Sequence, residues 1–170
     1  MNTKTSQGFT LLELLVSVAI VAIVAFIAVP NLAEMVNKNR VETTKSTLVN
    51  SIVSARSEAV SRNLSVGLCP TTNGTSCGTG GDDLQWLAFA DEDGDESFDA
   101  GETILGVYQG EEGVNFETEA TGLLFFADGS VGASVVFNVC SDNTDPADTY
   151  KVTIRATGRP SVERPGECDP

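Results

Sequence analysis

Residues 8–30 read GFTLLELLVSVAIVAIVAFIAVP, and this stretch decides the architecture of the 170-residue chain. From Phe9 to Val29 there are 21 residues with a single charge, Glu13. As a helix rising ~1.5 Å per residue they reach about 30 Å, the thickness of a bilayer core, so the run predicts a membrane-crossing helix. Lys4 lies on the short N-terminal side and the next basic residue is Lys38. The positive-inside rule then places the N-terminus in the cytoplasm and everything after Pro30 on the exported side. A cleaved secretory signal fits less well, because it expects an apolar region of about 7–15 residues and a small-x-small cleavage site. The nearest candidate, Ala25-Phe26-Ile27-Ala28, puts Phe where a small residue is wanted.

Glu13 needs its own account, since a carboxylate within hydrocarbon costs about 2.5–3.5 kcal/mol even on mild insertion scales. Either it snorkels to the cytoplasmic end, where the macrodipole of a helix N-terminus favours it, or it meets a cation.

Working outward, residues 31–63 contain neither Gly nor Pro, and Val41, Leu48, Ile52, Ala55 and Ala59 step by 7, 4, 3 and 4. That spacing predicts a helix with one buried face. Pro30 removes one backbone hydrogen bond and predicts a kink where the two helical stretches join. From Leu64 the period shortens and turn residues recur. Apolar runs at 64–69, 85–90, 103–108, 122–127, 130–139 and 149–155 predict strands, with a tight hairpin at Asp128-Gly129 and another turn at Thr157-Gly158-Arg159-Pro160. The expected fold class is α+β, a long, Pro-kinked N-terminal helix packed on an antiparallel β-sheet head. The divisions are a leader at 1–8, a transmembrane helix at 9–30, a helix continuing into the head at 31–63, and a β-rich head at 64–170.

The net charge of -14 is unevenly spread: residues 64–170 carry 4 basic and 20 acidic side chains. Such a head repels phosphate backbones, so nucleic acid is not an expected partner. The chain has no histidine, which removes Ser-His-Asp and Cys-His centres along with the commonest metal ligand. No catalytic residue and no enzymatic activity are expected.

Gly8-Phe9-Thr10-Leu11-Leu12-Glu13 after a short polar leader, followed by an apolar helix reaching Pro30, closely resembles the prepilin signal of type IV pilins and type II secretion pseudopilins. The resemblance implies cleavage between Gly8 and Phe9 by prepilin peptidase and N-methylation of the new Phe9 amine. It also implies that residues 9–30 form the filament core and that Glu13 pairs with the terminal amine of a neighbouring subunit. An α-amine with a pKa near 7.7–8.0 is largely cationic and attracts a carboxylate strongly where the dielectric is low. Some tip-capping pseudopilins lack this carboxylate, so Glu13 argues for a subunit with others stacked above it. The stretch Ala55-Arg56-Ser57-Glu58-Ala59-Val60-Ser61-Arg62 looks like the helix end of the GspH/FimT/FimU-type minor pilins, although i,i+4 pairing such as Glu58 with Arg62 accounts for its charges equally well.

Four cysteines, Cys69, Cys77, Cys140 and Cys168, all lie on the expected exported side, where thiols oxidise. They allow three pairings. The chosen one joins Cys69 with Cys77, closing CPTTNGTSC, and Cys140 with Cys168, tying down the C-terminus; the resemblance supports both. A zinc site would need histidine or CxxC spacing, and neither is present.

Residues 91–102, DEDGDESFDAGE, place carboxylates at positions 1, 3, 5, 9 and 12 of a twelve-residue window. Read as a calcium loop, Asp91, Asp93, Asp95, Asp99 and Glu102 supply side chains and Ser97 a backbone carbonyl. Two features depart from the EF-hand: Glu96 stands where glycine is usual, with Gly94 two residues early, and the flanks read as strands. Ca2+ as a cofactor and a solvated acidic hairpin tip both remain open.

The resemblance implies a minor type IV pilin held in the inner membrane, N-terminus cytoplasmic and head periplasmic. Such a subunit joins other minor pilins in a tip complex that primes polymerisation of the major pilin on the inner-membrane assembly platform. One rival keeps the fold and changes the machine, giving an H-type minor pseudopilin of a type II secretion system. Another is a DNA-uptake minor pilin, whose relatives carry a basic GRxR motif; here Gly158-Arg159-Pro160-Ser161 lacks the second arginine.

Overall fold

The computed structural model describes residues 9–78, 85–95, 97–99, 101–118, 120–141, 148–165 and 168, with the side chains of residues 27, 28, 30 and 31 outside the description. One helix, α1 (Leu11–Arg62), precedes the strands β1 (Ser65–Thr71), β2 (Gln85–Asp91), β3 (Thr103–Gln109), β4 (Asn115–Glu117), β5 (Leu123–Phe125), β6 (Val135–Cys140), β7 (Tyr150–Ile154) and β8 (Pro160–Glu163). The chain forms two compact units, one up to Val36 and one from Asn37 to Pro170, and the boundary falls inside α1.

Local chemistry sets both ends of the helix. Thr10 caps the start: its Oγ1 accepts from the Glu13 N–H (3.2 Å), and its carbonyl accepts from Leu14 (3.1 Å). Asn63 ends the helix in the left-handed region (φ 54), and the Leu64 N–H turns back to the Ala59 carbonyl (3.3 Å), a Schellman closure. The backbone stays helical through Pro30, whose side chain, and with it the expected kink, lies outside the described residues. Among the described residues no helix is long and apolar enough to cross a membrane.

In the second unit α1 buries the face that its spacing predicts. Val41, Leu48, Ile52, Ala55 and Ala59 are all shut from solvent. They join one core with Val66, Leu68, Trp86, Ala88 and Phe125, and with Val139, Tyr150, Val152 and Ile154. Two polar residues share the face without breaking it. Thr44 Oγ1 accepts the Glu111 N–H (2.9 Å), and Ser51 Oγ accepts the Trp86 Nε1–H (2.7 Å) while donating to the Leu48 carbonyl (2.8 Å). Each thereby satisfies a donor that burial would otherwise orphan.

The head is antiparallel, as expected, but it is two four-stranded sheets, ordered β3-β2-β1-β5 and β4-β6-β7-β8. The Asp128-Gly129 turn forms, with Phe126 N–H on the Ser130 carbonyl (2.9 Å) and Gly129 N–H on the Phe126 carbonyl (2.7 Å). Beyond a single Phe125–Val131 bridge its arms part, β5 to β1 and β6 to β4 and β7. The hairpin expected from 122–127 and 130–139 is therefore a crossover between sheets, and its arms shorten to three and six residues. Strands β4 and β8 were not expected. They are three and four residues long, and β8 begins at Pro160, which lacks an N–H and is tolerated at an edge.

Both chosen disulfides are present, Cys69–Cys77 and Cys140–Cys168, with Cα–Cα distances of 5.6 and 5.9 Å, within the usual range. The zinc alternative is excluded because the four thiols are consumed.

Candidate functional site

Candidate residues fall in three places, the second of which holds two clusters. The first is the start of the chain. Gly8 and the rest of the expected leader lie outside the described residues. Phe9 is 80% exposed, and Glu13 is exposed on the first helical turn. Its backbone is engaged, the N–H by Thr10 and the carbonyl by the Ser17 hydroxyl (2.7 Å). Its carboxylate has no ion-pair partner among the described residues. The described apolar side chains up to Val36 are exposed on every side of the helix, among them Leu11, Val16, Val21, Phe26 and Met35. A helix apolar all round requires an apolar environment on every face, and the described residues of its own unit do not supply one.

The second place joins α1 to the turns of the head. Arg56 Nε donates to the Gly129 carbonyl (3.0 Å). Gly158 sits against the same spot with φ +72, and a Cβ there would overlap the Gly129 carbonyl oxygen and meet Arg56 Nε at 3.0 Å. Arg56 thus ties the β5–β6 turn to the helix, and the glycine of Gly158-Arg159-Pro160 in the β7–β8 turn is required by its close approach to the same carbonyl. Asp128 in the first turn has its carboxyl held below the usual range, mainly by the Ser130 hydroxyl and N–H, with a smaller contribution from the Arg56 charge.

Nearer the start of this unit, Glu42 gathers a second cluster. It accepts from Lys45, from the Tyr150 hydroxyl and from Arg164 Nη2 (3.1 Å). Lys45 and Arg164 lie over the Tyr150 ring at 4.8 and 4.2 Å, while Lys38 and Arg164 both reach Asp148 (2.7 and 3.8 Å). Neither the Arg56 tie nor the Glu42 cluster was legible beforehand. Their partners lie 73, 108 and 122 residues away in sequence, so only the i,i+3 pairing of Glu42 with Lys45 left a local signal.

The third place is the acidic loop between β2 and β3. Leu87, Phe89 and Asp91 share the face of β2 opposite Trp86 and Ala88, which point into the main core. Phe98 folds back from the loop onto Phe89 at 5.2 Å between ring centroids, extending a small cluster of Cys69, Leu87 and Phe89. Gly67 beneath has no room for a Cβ against the Phe89 ring. Asp91, at the end of β2, is 4% exposed. Its Oδ1 accepts the Gly94 N–H (2.8 Å), and its Oδ2 is buried without a hydrogen-bond partner.

Carboxylate oxygens of Asp91, Asp93 and Asp95 lie within 4.8 Å of one another. Gly94 supplies the tight turn between them at φ +81, two residues before the usual glycine position; Glu96 lies outside the described residues. The other expected ligands are placed differently. Glu102 gives Oε1 to the Glu92 N–H (3.0 Å) and Oε2 to the Asp99 N–H (2.9 Å), bracing the two ends of the loop. The Asp99 carboxylate is not in the cluster, and Ser97 donates its N–H to Asp95 Oδ1 (2.8 Å).

The chain is similar to known proteins over nearly its full length. Residues 3–29 match the prokaryotic N-terminal methylation motif. The pilin-like protein PilA1 of Thermus thermophilus is 29% identical over 167 residues, covering 94% of this chain and 99% of the relative. The fold is similar to the type IV minor pilin FimU of Pseudomonas aeruginosa (TM-score 0.53, 17% identity, 72% of this chain and 91% of that one). It is also similar to the minor pseudopilin EpsH of the Vibrio cholerae type 2 secretion system (TM-score 0.50, 14% identity, 74% and 99%). Residues 46–158, well over half of the chain, match the family described as type II transport protein GspH, and with the fold just described this match shows that the chain belongs to the GspH family.

Proposed function

We propose that the chain is a minor type IV pilin that takes part in initiating pilus assembly within a tip complex of minor pilins, and that it catalyses no reaction. The observation that carries this reading is the helix from Leu11 to Val29, whose described apolar side chains are exposed on all sides and whose one carboxylate, Glu13, lies in its first turn. Such a surface suits two environments in succession. In the inner membrane, spanned once with the head on the periplasmic side, lipid covers it. In a filament the apolar helices of other minor pilins and of the major pilin cover it, and Glu13 meets the Phe9 amine of a neighbour once prepilin peptidase has cut after Gly8. Charge pairing between two desolvated groups sets the axial register that shape alone leaves free along a smooth apolar rod.

A second reading has its own support. The matched family is described as a type II transport protein, which favours a minor pseudopilin of a type II secretion system, built on the same helix and charge pair. A DNA-uptake role is disfavoured by the acidic head. Deleting the gene and assaying sheared surface filaments and secreted protein in the same cultures separates the machines. Loss of filaments with secretion intact is the expected result. Normal filaments with failed secretion would transfer the chain to the secretion machine.

A further inference from the structure

The acidic loop carries an inference independent of which machine the chain serves. We infer that the β2–β3 loop is a site for one divalent cation of the calcium class, ligated by Asp91, Asp93 and Asp95, with Glu102 bracing the loop rather than ligating. Three exposed carboxylates on a turn would be an ordinary solvated hairpin tip. Asp91 is different. It is 4% exposed, it ends the row of Leu87 and Phe89 on β2, and its Oδ2 is buried without a hydrogen-bond partner among the described residues. A buried carboxylate oxygen left unpaired is unfavourable, and it persists where something outside the protein atoms completes it.

The surroundings favour a cation as that missing partner. No positively charged side chain is paired with Asp91 among the described residues, and a carboxylate oxygen from each of Asp91, Asp93 and Asp95 lies within 4.8 Å of the others. Bringing three carboxylates together is repulsive without an intervening positive charge and attractive with one. The donor set is all oxygen, on a loop turned by Gly94, which fits a hard cation that accepts six to eight oxygens in flexible geometry; loop carbonyls and water complete the shell. It suits magnesium less, since that ion demands near-ideal octahedral placement. Glu102 departs from the twelve-residue register because both of its oxygens hold backbone amides at opposite ends of the loop.

The test uses the full chain in detergent micelles, stripped with chelator and titrated with calcium chloride by calorimetry and thermal melting, with magnesium chloride as the control. The expected result is one calcium per chain with a dissociation constant at or below ~1 mM, and a melting transition raised by calcium but not by equal magnesium. Asp93→Ala, at an exposed position, and Asp91→Asn, which keeps an acceptor for Gly94, should each weaken binding at least ~10-fold. Glu102→Gln should bind within ~3-fold of the wild type, because the charge it loses is not a ligand. Absence of heat and shift at ~10 mM calcium, an equal response to magnesium, or undiminished binding in both aspartate variants would overturn the site. Loss of binding in Glu102→Gln as complete as in Asp93→Ala would overturn the bracing role.

Discussion

Helix α1 carries leucine, valine and isoleucine along its whole length, yet its two portions meet opposite surroundings. Up to Val36 the described apolar side chains are exposed, with Val21 at 66%; from Val41 to Ala59 the apolar stripe is shut in, with Ile52 at 0%. The difference lies in how the residues are distributed around the helix. In the second portion apolar positions recur every three or four residues and polar ones fill the rest, so the chain's own sheets can cover the stripe. In the first portion every face is apolar, and no single protein surface can cover a cylinder. One portion is therefore covered within the fold, and the other has no covering surface among the described residues of its own unit.

The largest effect expected from breaking this contrast is functional. Glu13→Leu removes the single charge of residues 9–29. It should leave the chain in the membrane fraction and its melting unchanged, while its amount in sheared filaments falls ~10-fold or more, as when one partner of a desolvated pair is removed. Quantitative immunoblotting of both fractions reads this directly. Unchanged filament content would remove Glu13 from assembly.

Next comes a paired substitution that reads burial against exposure on the same helix. Ile52→Ala should cost the head about 2–5 kcal/mol in denaturant unfolding of the detergent-solubilised chain. Val21→Ala, chemically similar, should change the same transition by less than about 0.5 kcal/mol. Equal effects would mean that the two portions share one cooperative fold.

Cross-links sharpen the comparison within the head. Cys140–Cys168 closes a separation of 28 residues and Cys69–Cys77 one of 8, so the chain-entropy relation gives about 3.6 and about 2.6 kcal/mol. Cys168→Ser should therefore lower the oxidised melting midpoint more than Cys77→Ser does. The reverse order would show that local strain or contacts outweigh loop length.

The smallest expected effect is that of pH. Because the Asp128 carboxyl is held below its usual range, its contribution is present above about pH 4, the ordinary aspartate value, and is lost as pH falls through its lower native value. Asp128 is fully exposed, so Asp128→Asn should lower the melting midpoint only slightly at neutral pH and not at all at acid pH where the wild-type carboxyl is protonated, which flattens the acid limb of the melting curve. A large change at neutral pH would mean that the Arg56 tie depends on this charge.

The legible parts of the molecule were those written in local period. The buried face at Val41, Leu48, Ile52, Ala55 and Ala59, the strands flanking the acidic loop and the turn at Gly158 each follow from neighbours within a few residues. Thr44 and Ser51 were not legible as core, because their burial depends on Glu111 and Trp86 arriving from other elements. The division into two sheets was missed for the same reason: the Asp128-Gly129 signal specifies a turn but not where its arms pair afterwards. In the acidic loop the spacing pointed to five side chains, of which the fold gathers three and turns Glu102 onto backbone amides.

By itself the amino-acid sequence determined the long helix, the antiparallel head, the motif at Gly8 to Glu13 and the segregation of acidity into residues 64–170. These depend on helix and strand periods, turn chemistry and composition, which act over short separations. Only the tertiary structure decided that the head is two sheets, that Arg56 holds Gly129 beside Gly158, that Glu42 gathers Tyr150 and Arg164, and that Asp91 is buried with an unpartnered oxygen. Those outcomes require residues tens of positions apart to meet, and such meetings are selected by the packing of the whole core rather than by any one stretch of chain.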